Sequence, residues 1–406
     1  MNTKSKPRIA VLSPFVDRHH GTERIIAEWI SRLTASFEIH LYSQHVAELD
    51  LSQITWHRIP KLPGPHLLNY MWWFAANHLW RFWDKRVHGL HYALVFTPGI
   101  NCLDADVISV HIVFAEFCRL ARTELSFRTN PMRSWPRLLH RRLYYKFITL
   151  MERRIYSSAK HQLILIAKKT AKDLRRHYSR SDPLPIVYVG LNHEIFNLRN
   201  RLHLRSQSRE ALRLAESTFV LLLVGNDWKK KGLNALLASL SYLRDLNVVL
   251  LIVGRDEPSP YKVLAQQYGV EAMLKFLSPR PDAVFYYSAA DVNIGPSLED
   301  TFALPTAEAM ACALPVITSL ENGTSEIIVN GRDGLLLESA TDAHELASKI
   351  RKLYLDRDLC KRLGENGAKA VAPYTWEDNA VRVGAIFEEV CLRKSAARHR
   401  QVTEKI

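Results

Sequence analysis

Residues 295–319, GPSLEDTFALPTAEAMACALPVITS, contain the pattern that decides the fold. A short apolar strand is predicted to end at Ile294, a loop with Glu299 and Asp300 follows, and Pro305 stands where a helix begins. Proline is favoured at the first position of a helix because the N–H that it lacks is not needed there. A strand, a loop and a helix in this order predict one βα unit of a parallel sheet.

Two carboxylates in this stretch are candidate ligand-binding groups. Asp300 precedes the predicted helix and Glu308 lies in its first turn. Both are therefore expected at the carboxyl ends of the strands, where doubly wound sheets bind ligands. Carboxylates there can accept hydrogen bonds from sugar hydroxyls, and the free N–H groups of a helix start can hold a diphosphate. Taken alone, Glu308 could instead be a simple partner of the helix dipole.

The rest of the chain repeats the alternation of strands and helices. Apolar strands are predicted at residues 6–14, 219–224 and 247–253, and an amphipathic helix at 22–33. We therefore predict an α/β fold with two consecutive Rossmann-like, doubly wound domains. The predicted domains are residues 1–198 and 209–375. A linker at 199–208 without strand or helix periodicity joins them, and a final helix is expected within 376–406.

The composition of the 406 residues, 47% apolar and 24% charged, is that of a globular protein. No apolar run approaches the ~18 residues of a membrane-spanning helix. The first apolar stretch is short and ends at Pro14, so we expect no signal peptide and a cytosolic protein. The five cysteines are scattered without a CxxC pair, which indicates free thiols and not disulfides or a zinc site.

Most of the excess positive charge falls in one stretch. Fourteen basic and only three acidic residues lie between Arg133 and Asp182, so this stretch holds +11 of the net charge of +14. Such a patch suggests a nucleic acid, an anionic membrane surface or a phosphorylated substrate. We assign Arg137, Arg141 and Arg142 to a surface that binds a membrane or an acceptor.

An aromatic stretch at residues 67–83 contains four of the nine tryptophans, Trp72, Trp73, Trp80 and Trp83. Polar residues interrupt it, so it does not span a bilayer. Tryptophan is favoured at membrane interfaces, where one edge of the ring is apolar and the other is wet. We predict that these four tryptophans form a helix that lies on an anionic membrane. The alternative is a helix packed inside the N-terminal domain.

A second candidate binding segment is residues 224–238, VGNDWKKKGLNALLA. A strand runs into Gly225, a basic loop follows, and a helix begins after Gly232. Cations in this loop could neutralise a diphosphate leaving group. The alternative is a solvated basic loop. The phosphate-binding motif GxxxxGK[ST] is absent.

Residues 295–319 resemble the signature of the retaining GT-B glycosyltransferases called family 4 (glycosyl transferases group 1), P-S-x-x-E-G-F-G-x-P-x-x-E-A-M-A-x-G-x-P-V. By this resemblance, Asp300 contacts hydroxyls of a donor sugar and Glu308 binds the ribose of the nucleotide. Three glycines of the signature are Thr301, Ala303 and Ala313 in this chain. The first Glu of the signature is Asp300 here, one methylene shorter, with Glu299 beside it. The residues at the other signature positions are Pro296, Ser297, Phe302, Pro305, Glu308, Ala309, Met310, Ala311, Pro315 and Val316.

The resemblance extends to the basic loop and to the N-terminal half. Lys231 matches the diphosphate-binding lysine of the family, with Lys229 or Lys230 as a second cation. His111, in ADVISVHIVF, is similar to a histidine beside the donor sugar, and we take His111 and Asp300 as the candidate catalytic residues. The implied nucleotide-sugar site consists of Gly21, Lys229, Lys231, Asp300, Phe302, Ala303, Leu304 and Glu308.

The resemblance implies a metal-independent enzyme that moves a hexose from a UDP- or GDP-linked sugar with retention of configuration. It also implies that the two Rossmann-like domains face a cleft. The donor would bind the C-terminal domain and the acceptor the N-terminal domain, and the helix within 376–406 would cross back to the latter.

The acceptor that we favour is a lipid-linked or anionic glycan, such as lipopolysaccharide core or a related polysaccharide. The enzyme would then bind peripherally to the cytoplasmic face of the membrane. One alternative is a glycosyltransferase with a soluble acceptor. A basic nucleic-acid-binding protein is disfavoured because no recognised motif accompanies the charge, so we expect no nucleic acid partner. A nicotinamide oxidoreductase is disfavoured because GxGxxG is absent after both first strands.

Overall fold

The computed structural model describes residues 6–18, 20–121 and 135–403. Arg133, the first basic residue of the charged stretch, lies outside the described residues. The chain divides into two compact units. Unit 1 comprises the described residues of 1–188 and 376–406, and unit 2 comprises residues 189–375.

Unit 1 contains a parallel six-stranded sheet in the described residues, with the strand order β5-β3-β1-β6-β7-β8, and a separate pair, β2-β4. Its strands are β1 Arg8–Leu12, β2 Phe15–Val16, β3 Glu38–Ser43, β4 His45–Val46, β5 Ile54–Arg58, β6 Leu94–Pro98, β7 Val107–Val110 and β8 Gln162–Leu165. Its helices are α1 Gly21–Leu33, α2 His66–Val87, α3 Phe114–Leu120, α4 Trp135–Tyr156, α5 Lys168–Tyr178 and α13 Trp376–Thr403.

The strand order of unit 1 fixes where a ligand can bind. Strand β1 pairs with β3 on one side and with β6 on the other. The chain therefore builds the sheet outward in both directions from β1, and the loops after β1 and β6 diverge. In doubly wound folds such a switch point leaves a crevice at the carboxyl ends of the two strands.

Unit 2 repeats this design with the strand order β11-β10-β9-β12-β13-β14, again with parallel pairs. Its strands are β9 Phe219–Val224, β10 Val248–Val253, β11 Leu274–Leu277, β12 Val292–Gly295, β13 Val316–Ser319 and β14 Leu335–Leu337. Its helices are α6 Leu198–Ala211, α7 Leu233–Leu240, α8 Ser259–Tyr268, α9 Val284–Ala289, α10 Leu304–Ala311, α11 Ala343–Leu355 and α12 Arg357–Val371, with 3-10 helices at Glu271–Met273 and Gly323–Ile327.

The central strands of unit 2 are continuous apolar runs. Strand β9 reads FVLLLV and β10 reads VVLLIV, and nearly all of these side chains are buried. Parallel strands are covered on both faces, so they show no alternation of polar and apolar residues. The switch point of this sheet lies between β9 and β12, the two strands that precede the two segments singled out in the sequence.

The linker predicted at residues 199–208 is wrong, because these residues belong to helix α6. Asn197 caps its first turn, since its side chain accepts a hydrogen bond from the N–H of Asn200 at 2.8 Å. The helix is mostly polar, and two of the residues that it buries are Ser208 and Arg209. It therefore has no apolar stripe to reveal its period, although it packs along α9.

Arg209 replaces an apolar anchor on this helix. Its side chain is 1% exposed. The guanidinium donates hydrogen bonds to the carbonyl oxygens of Ala215, Thr218 and Ala289, at 2.5, 2.7 and 3.0 Å. It also lies 3.4 Å from the carboxylate of Asp291. A buried cation with these partners joins α6 to the edge of β9 and to the end of α9.

Beyond the end of α5, Ile186 pairs with Leu165 of β8 in a single isolated bridge. The final helix α13 packs on α1 of unit 1. The indole N–H of Trp29 donates to Asn379, and the rings of Phe37 and Phe387 lie 6.0 Å apart.

Candidate functional site

The strongest candidate site of unit 2 lies at its switch point. The loop after β9, residues 225–232, and the loop after β12, residues 296–303, follow neighbouring strands of the sheet. The amide of Leu298 donates to the carbonyl oxygen of Lys230 at 2.7 Å, which ties the two loops together. The two sequence motifs therefore meet at the carboxyl edge of one sheet.

Two glycines shape the first loop. Gly232 has a φ of +78°, and a Cβ there would lie 2.0 Å from the carbonyl oxygen of Pro296. Gly225 has a φ of +137°, and its Cβ would lie 2.9 Å from Cε of Lys231. Both positions need glycine because of this conformation and this close approach. Together they place the Lys231 side chain across the start of the loop.

Lys231 and Asp300 form an ion pair in this site. The ammonium group contacts the carboxylate directly, and each side chain is 17% exposed. The cation assigned to a diphosphate and the carboxylate assigned to a donor sugar thus lie in contact within one unit. The pair keeps both charges compensated at a partly buried position.

Two lysines, Lys229 and Lys230, are candidates for the second cation that would bind the diphosphate. Lys230 lies 3.2 Å from the carboxylate of Asp227. Lys229 is exposed. Both follow β9 in the loop that contains Lys231, so either could approach an anion bound there.

Asn322 holds the second loop in place, and the sequence analysis did not single it out. Its Oδ1 accepts hydrogen bonds from the amides of Ala303 and Thr324, at 3.3 and 3.0 Å. Its Nδ2 donates to Thr318 Oγ1 at 2.9 Å. The backbone of Asp300 also bridges to Asn322. Asn322 is fully buried, so it is a positioning residue for the loop that contains Asp300.

The start of α10 completes the site of unit 2. Ala303 occupies the N-cap position and has no side-chain oxygen to cap the first turn. Phe302, Ala303 and Leu304 are buried. The amide of Ala303 is already bonded to Asn322. Pro305 has no N–H, and the amide of Thr306 donates to the carbonyl oxygen of Ala303 at 3.0 Å, so the Leu304 amide is the first-turn group suited to an anion.

Glu308 lies inside the protein, one turn along α10. It is 4% exposed, and its Oε2 accepts a hydrogen bond from the hydroxyl of Tyr287 at 2.8 Å. Tyr287 is itself fully buried on α9. The carboxylate is therefore held in one orientation by a neighbouring helix.

In unit 1, the candidate residue His111 follows β7 and lines a cavity of about 230 Å³. Its Nε2 lies 2.9 Å from the hydroxyl oxygen of Ser109. Its Nδ1 is shielded from solvent and has no hydrogen-bond partner. Burial lowers the pKa of His111 to about 4, so the ring is neutral at pH 7.

The same cavity is bordered by groups that the sequence analysis did not assign, among them Glu23, Gln44 and Asn69. Burial raises the pKa of Glu23. Gln44 directly follows β3 at the carboxyl edge of the sheet, and this position is the signal that could have identified it.

Gly21 is the first residue of α1. Its φ is not positive, and a Cβ there would meet nothing within 4 Å. The backbone therefore does not require glycine at this position. The preceding residue, His20, is bonded to Asp17 through both its amide and its ring.

The aromatic stretch forms helix α2, and its tryptophans do not share one environment. Trp83 is 62% exposed, and Trp72 and Trp80 are half-buried with their rings 6.3 Å apart. Trp73 corrects our prediction of a membrane-facing residue. It is 1% exposed, and its indole N–H donates to Asn101 at 2.8 Å. Adjacent residues of a helix point about 100° apart, so Trp73 can face the interior while Trp72 stays half-buried.

The outer face of α2 is apolar, and we define it by exposed residues at helical spacing, Leu68, Met71, Leu79, Phe82, Trp83 and Val87. Helix α4 carries a basic surface beside exposed leucines. Its exposed basic residues are Arg137, Arg141, Arg142, Lys146, Arg153 and Arg154. Its single acidic residue, Glu152, is fully buried and accepts hydrogen bonds from the amides of Phe114 and Ala115. Burial raises the pKa of Glu152 to about 7.

Among the described helices, none combines the length and apolarity that crossing a membrane requires.

Comparisons with known proteins agree with this geometry. Residues 205–370 match the family model of glycosyl transferases group 1. The D-inositol 3-phosphate glycosyltransferase of Corynebacterium glutamicum is 27% identical over 239 residues, which cover 56% of this chain and 57% of that protein. The lipopolysaccharide glucosyltransferase WaaG of Escherichia coli is 26% identical over 230 residues, 55% of this chain and 61% of that protein. The chain thus spans little more than half the length of these two curated relatives.

Solved structures match over almost the whole chain. A crystal structure of WaaG, a glycosyltransferase involved in lipopolysaccharide biosynthesis, superposes with a TM-score of 0.76 at 19% identity, over 93% of this chain and 99% of that one. A crystal structure of Anabaena Alr3699/HepE in complex with UDP-glucose gives a TM-score of 0.70 at 16% identity, over 94% of this chain and 99% of that one.

Two doubly wound units and these structural matches define the GT-B fold, as the sequence predicted. The family match covers residues 205–370, which lie in unit 2, and the likeness of the whole chain to glycosyltransferase structures is a likeness of fold.

Proposed function

We propose that the protein transfers a hexose from a nucleotide sugar to a lipid-linked or cell-surface glycan, with retention of anomeric configuration. The observation that carries this proposal is the contact between Lys231 and Asp300 at the switch point of unit 2. A cation for the diphosphate and a carboxylate for sugar hydroxyls are the two groups that a nucleotide sugar needs close together.

The donor would engage the site in three parts. Its diphosphate would replace Asp300 as the partner of Lys231 and contact the Leu304 amide at the start of α10. Asp300 would then accept hydrogen bonds from the sugar, and Glu308 from the ribose. In the transfer step, the bond from the anomeric carbon to the diphosphate oxygen breaks and a bond to the acceptor oxygen forms. The proton of the acceptor hydroxyl passes to the departing diphosphate.

We propose several further features of the site because the sequence resembles the glycosyltransferase family. His111 is the second candidate catalytic residue, and its neutral ring suits hydrogen bonding to a sugar better than ion pairing. Gly21 is proposed to approach the donor with its backbone. A metal-independent reaction is proposed because Lys231 and the N-terminus of α10 supply the positive potential that a metal would otherwise supply. The donor base would be uracil or guanine, and Alr3699/HepE with UDP-glucose favours uracil.

Replacing Glu308 tests the donor site. We expect Glu308→Ala to abolish measurable nucleotide-sugar binding, and Glu308→Gln to weaken it by about tenfold, because a charged acceptor of ribose hydroxyls is lost. Binding is measured by thermal shift with UDP, GDP and their sugar conjugates. A ligand at about 100 times its Kd stabilises the wild type by about 2.7 kcal/mol.

The matched control is Glu271→Ala, which removes an exposed glutamate of the same unit. It should bind the donor like the wild type. Unchanged donor affinity in Glu308→Ala, with a folded protein by circular dichroism, would contradict the assignment of Glu308.

The acceptor proposal rests on the surfaces of α2 and α4. The outer face of α2 exposes apolar side chains, and the exposed charges of α4 are all basic. Arg86 adds a guanidinium 5.4 Å from the ring of Phe82. An apolar helix face beside a cationic one fits an anionic phospholipid bilayer, since apolar side chains enter the interface and cations meet the headgroups. We propose peripheral binding to the cytoplasmic face of a membrane, where lipid-linked glycans such as lipopolysaccharide core would be presented.

Vesicle binding tests this surface. We expect the double variant Phe82→Ser/Trp83→Ser to lose about 30-fold in affinity for vesicles of phosphatidylcholine and phosphatidylglycerol, at about 1 kcal/mol for each partly inserted side chain. The matched control is Val381→Ser/Leu392→Ser, which changes two equally exposed residues of α13. Cosedimentation is measured at about 0.1 M and about 1 M salt, where the Debye length falls from about 10 Å to about 3 Å.

Equal loss in the two double variants, or equal binding to vesicles of phosphatidylcholine alone, would contradict membrane docking by α2. A soluble acceptor would then become the better candidate.

A further inference from the structure

The cavity of unit 1 lies at the carboxyl edge of its sheet. Ser13, Gln44, Gly99 and His111, which follow β1, β3, β6 and β7, line it. It thus occupies the switch point between β1 and β6, which is the ligand-binding position of a doubly wound unit. At about 230 Å³, it is smaller than the roughly 300–1,000 Å³ of pockets for drug-sized ligands. This size suits one sugar ring better than an oligosaccharide.

Two buried polar atoms in the cavity lack partners. Gln44 is 6% exposed, and its Oε1 has no hydrogen-bond partner, although its Nε2 lies 3.4 Å from Asn69 Oδ1. His111 Nδ1 is also unpaired. A buried polar group without a partner typically costs about 1–3 kcal/mol, so the two atoms indicate a ligand that supplies hydrogen bonds.

Several other polar groups of the cavity are hydrogen-bonded to one another and form its walls. Asn101 accepts from Trp73 and donates to Thr97 Oγ1 at 2.8 Å. Tyr70 donates to the carbonyl oxygen of Ile100. The rings of Tyr70 and Tyr144 lie 5.7 Å apart. These contacts fix aromatic surfaces beside the unpaired atoms, and an apolar wall with few polar groups is typical of a specific ligand site.

The charge of the cavity limits the class of ligand. None of the described residues that line it is lysine or arginine, and its carboxylate is Glu23. Burial raises the pKa of Glu23, which indicates that this site disfavours negative charge even on the protein. A phosphate group would enter it without a cation to compensate its charge.

We propose that this cavity is the acceptor subsite and that it takes an unphosphorylated sugar ring. The inference rests on the proposed function and deepens it. Gln44 Oε1 and Glu23 accept hydrogen bonds from ring hydroxyls, His111 Nδ1 bonds another, and Trp73 and Tyr70 border the ring. The site would therefore reject a phosphorylated ring such as D-inositol 3-phosphate, the compound after which the relatives from Corynebacterium are named.

The two helices that line the cavity also form the surface proposed to bind the membrane. Tyr70 and Trp73 belong to α2, and Tyr144 and Ile148 belong to α4. The inner sides of these helices line the cavity, and their outer sides carry the apolar and basic surfaces. A ring in the cavity thus lies beside the surface proposed to hold its lipid anchor.

Saturation-transfer NMR titrations test the proposal with defined probes, methyl α-glucopyranoside and methyl α-mannopyranoside against glucose 6-phosphate and inositol 1-phosphate. We expect at least one neutral glycoside to bind at least about tenfold more tightly than the phosphates. Gln44→Met, which keeps the volume and removes the carbonyl, should weaken neutral binding by about tenfold. Gln53→Met, an exposed matched control in the same unit, should bind like the wild type.

Adding a positive charge to the cavity gives a second, independent test. Asn69 is half-buried at the cavity, and Asn69→Lys should shift the preference by at least about tenfold towards glucose 6-phosphate, because the lysine supplies the missing cation. Gln53→Lys, which adds the same charge away from the cavity, should leave the preference unchanged. This arm remains decisive if Gln44→Met does not fold.

UDP and GDP sugars are titrated into the same samples to separate this proposal from the proposed function. Donor binding together with a preference for phosphorylated rings, or no binding of any ring, would overturn the cavity assignment and leave the donor site standing. Binding of neutral rings without any nucleotide response would support the cavity and contradict the transferase proposal. Equal effects in Gln44→Met and Gln53→Met would also overturn the assignment.

Discussion

Replacing Lys231 by methionine is expected to weaken nucleotide-sugar binding by about a hundredfold, because truncating one partner of a partly buried charge contact typically costs 2–5 kcal/mol. The variant keeps the stem that packs over Gly225 and removes only the ammonium group. Isothermal calorimetry with UDP and GDP conjugates measures the change. Lys361→Met is the matched control, since it removes an exposed lysine of the same unit.

The ion pair predicts an opposite effect for its carboxylate. Asp300→Asn releases Lys231 and removes a negative charge beside the diphosphate. We therefore expect UDP or GDP alone to bind about fivefold more tightly, since a partly exposed ion pair contributes up to about 1 kcal/mol. Transfer of the sugar should fall, because the contact with its hydroxyls is weakened.

Equal affinities of wild type and Asp300→Asn for the free nucleotide would contradict a competition between Asp300 and the diphosphate. The two remaining lysines are separated by the same measurement. Lys229→Met and Lys230→Met are compared, and the variant that lowers the affinity for the nucleotide more identifies the second cation. Lys230 forms an ion pair with Asp227, so Lys230→Met also leaves the Asp227 carboxylate without this cation.

The second large effect concerns stability. Arg209→Met is expected to lower the free energy of unfolding by about 3–5 kcal/mol, because it leaves buried carbonyl oxygens without their donor and removes one of the two cations beside Asp291. The carbonyl oxygens that it binds belong to Ala215, Glu216, Thr218 and Ala289. Denaturant unfolding, followed by circular dichroism, measures the loss.

Arg205→Met provides the control for this prediction. It lies on the same helix and pairs with the same Asp291 at 2.8 Å, but its side chain is 24% exposed. Its removal should cost about 1 kcal/mol or less, as for other exposed pairs. Similar losses in the two variants would show that the burial of Arg209 does not determine its contribution.

The parallel sheets and the switch-point site could be predicted because their signals are local. Strands β9 and β10 are uninterrupted apolar runs, and Lys231 and Asp300 each follow a strand. In a parallel sheet, the order of strands and helices alone brings the loops after the strands to the carboxyl edge. Helix α6 was missed because its buried side is polar, with Arg209 bonded to groups far away in the fold.

Positioning residues escape sequence reasoning for the same reason. Asn322 acquires its role only when four different backbone and side-chain groups converge on its amide. The aromatic helix shows a different limit. Three of the five residues that it buries are polar or charged, so apolarity alone does not identify the tryptophan that faces inward. Packing against Asn101 decides that Trp73 does.

The attachment of α13 to unit 1 has a consequence for synthesis on the ribosome. The hydrogen bond from Trp29 to Asn379 joins residues that are 350 positions apart. At roughly 5–20 residues per second, the partner of Trp29 is translated about 20 to 70 s after it. Unit 2, which is continuous in sequence, can fold within that interval. The surface of α1 meanwhile stays open, so a nascent chain stalled before Trp376 would expose it to chaperones or to aggregation.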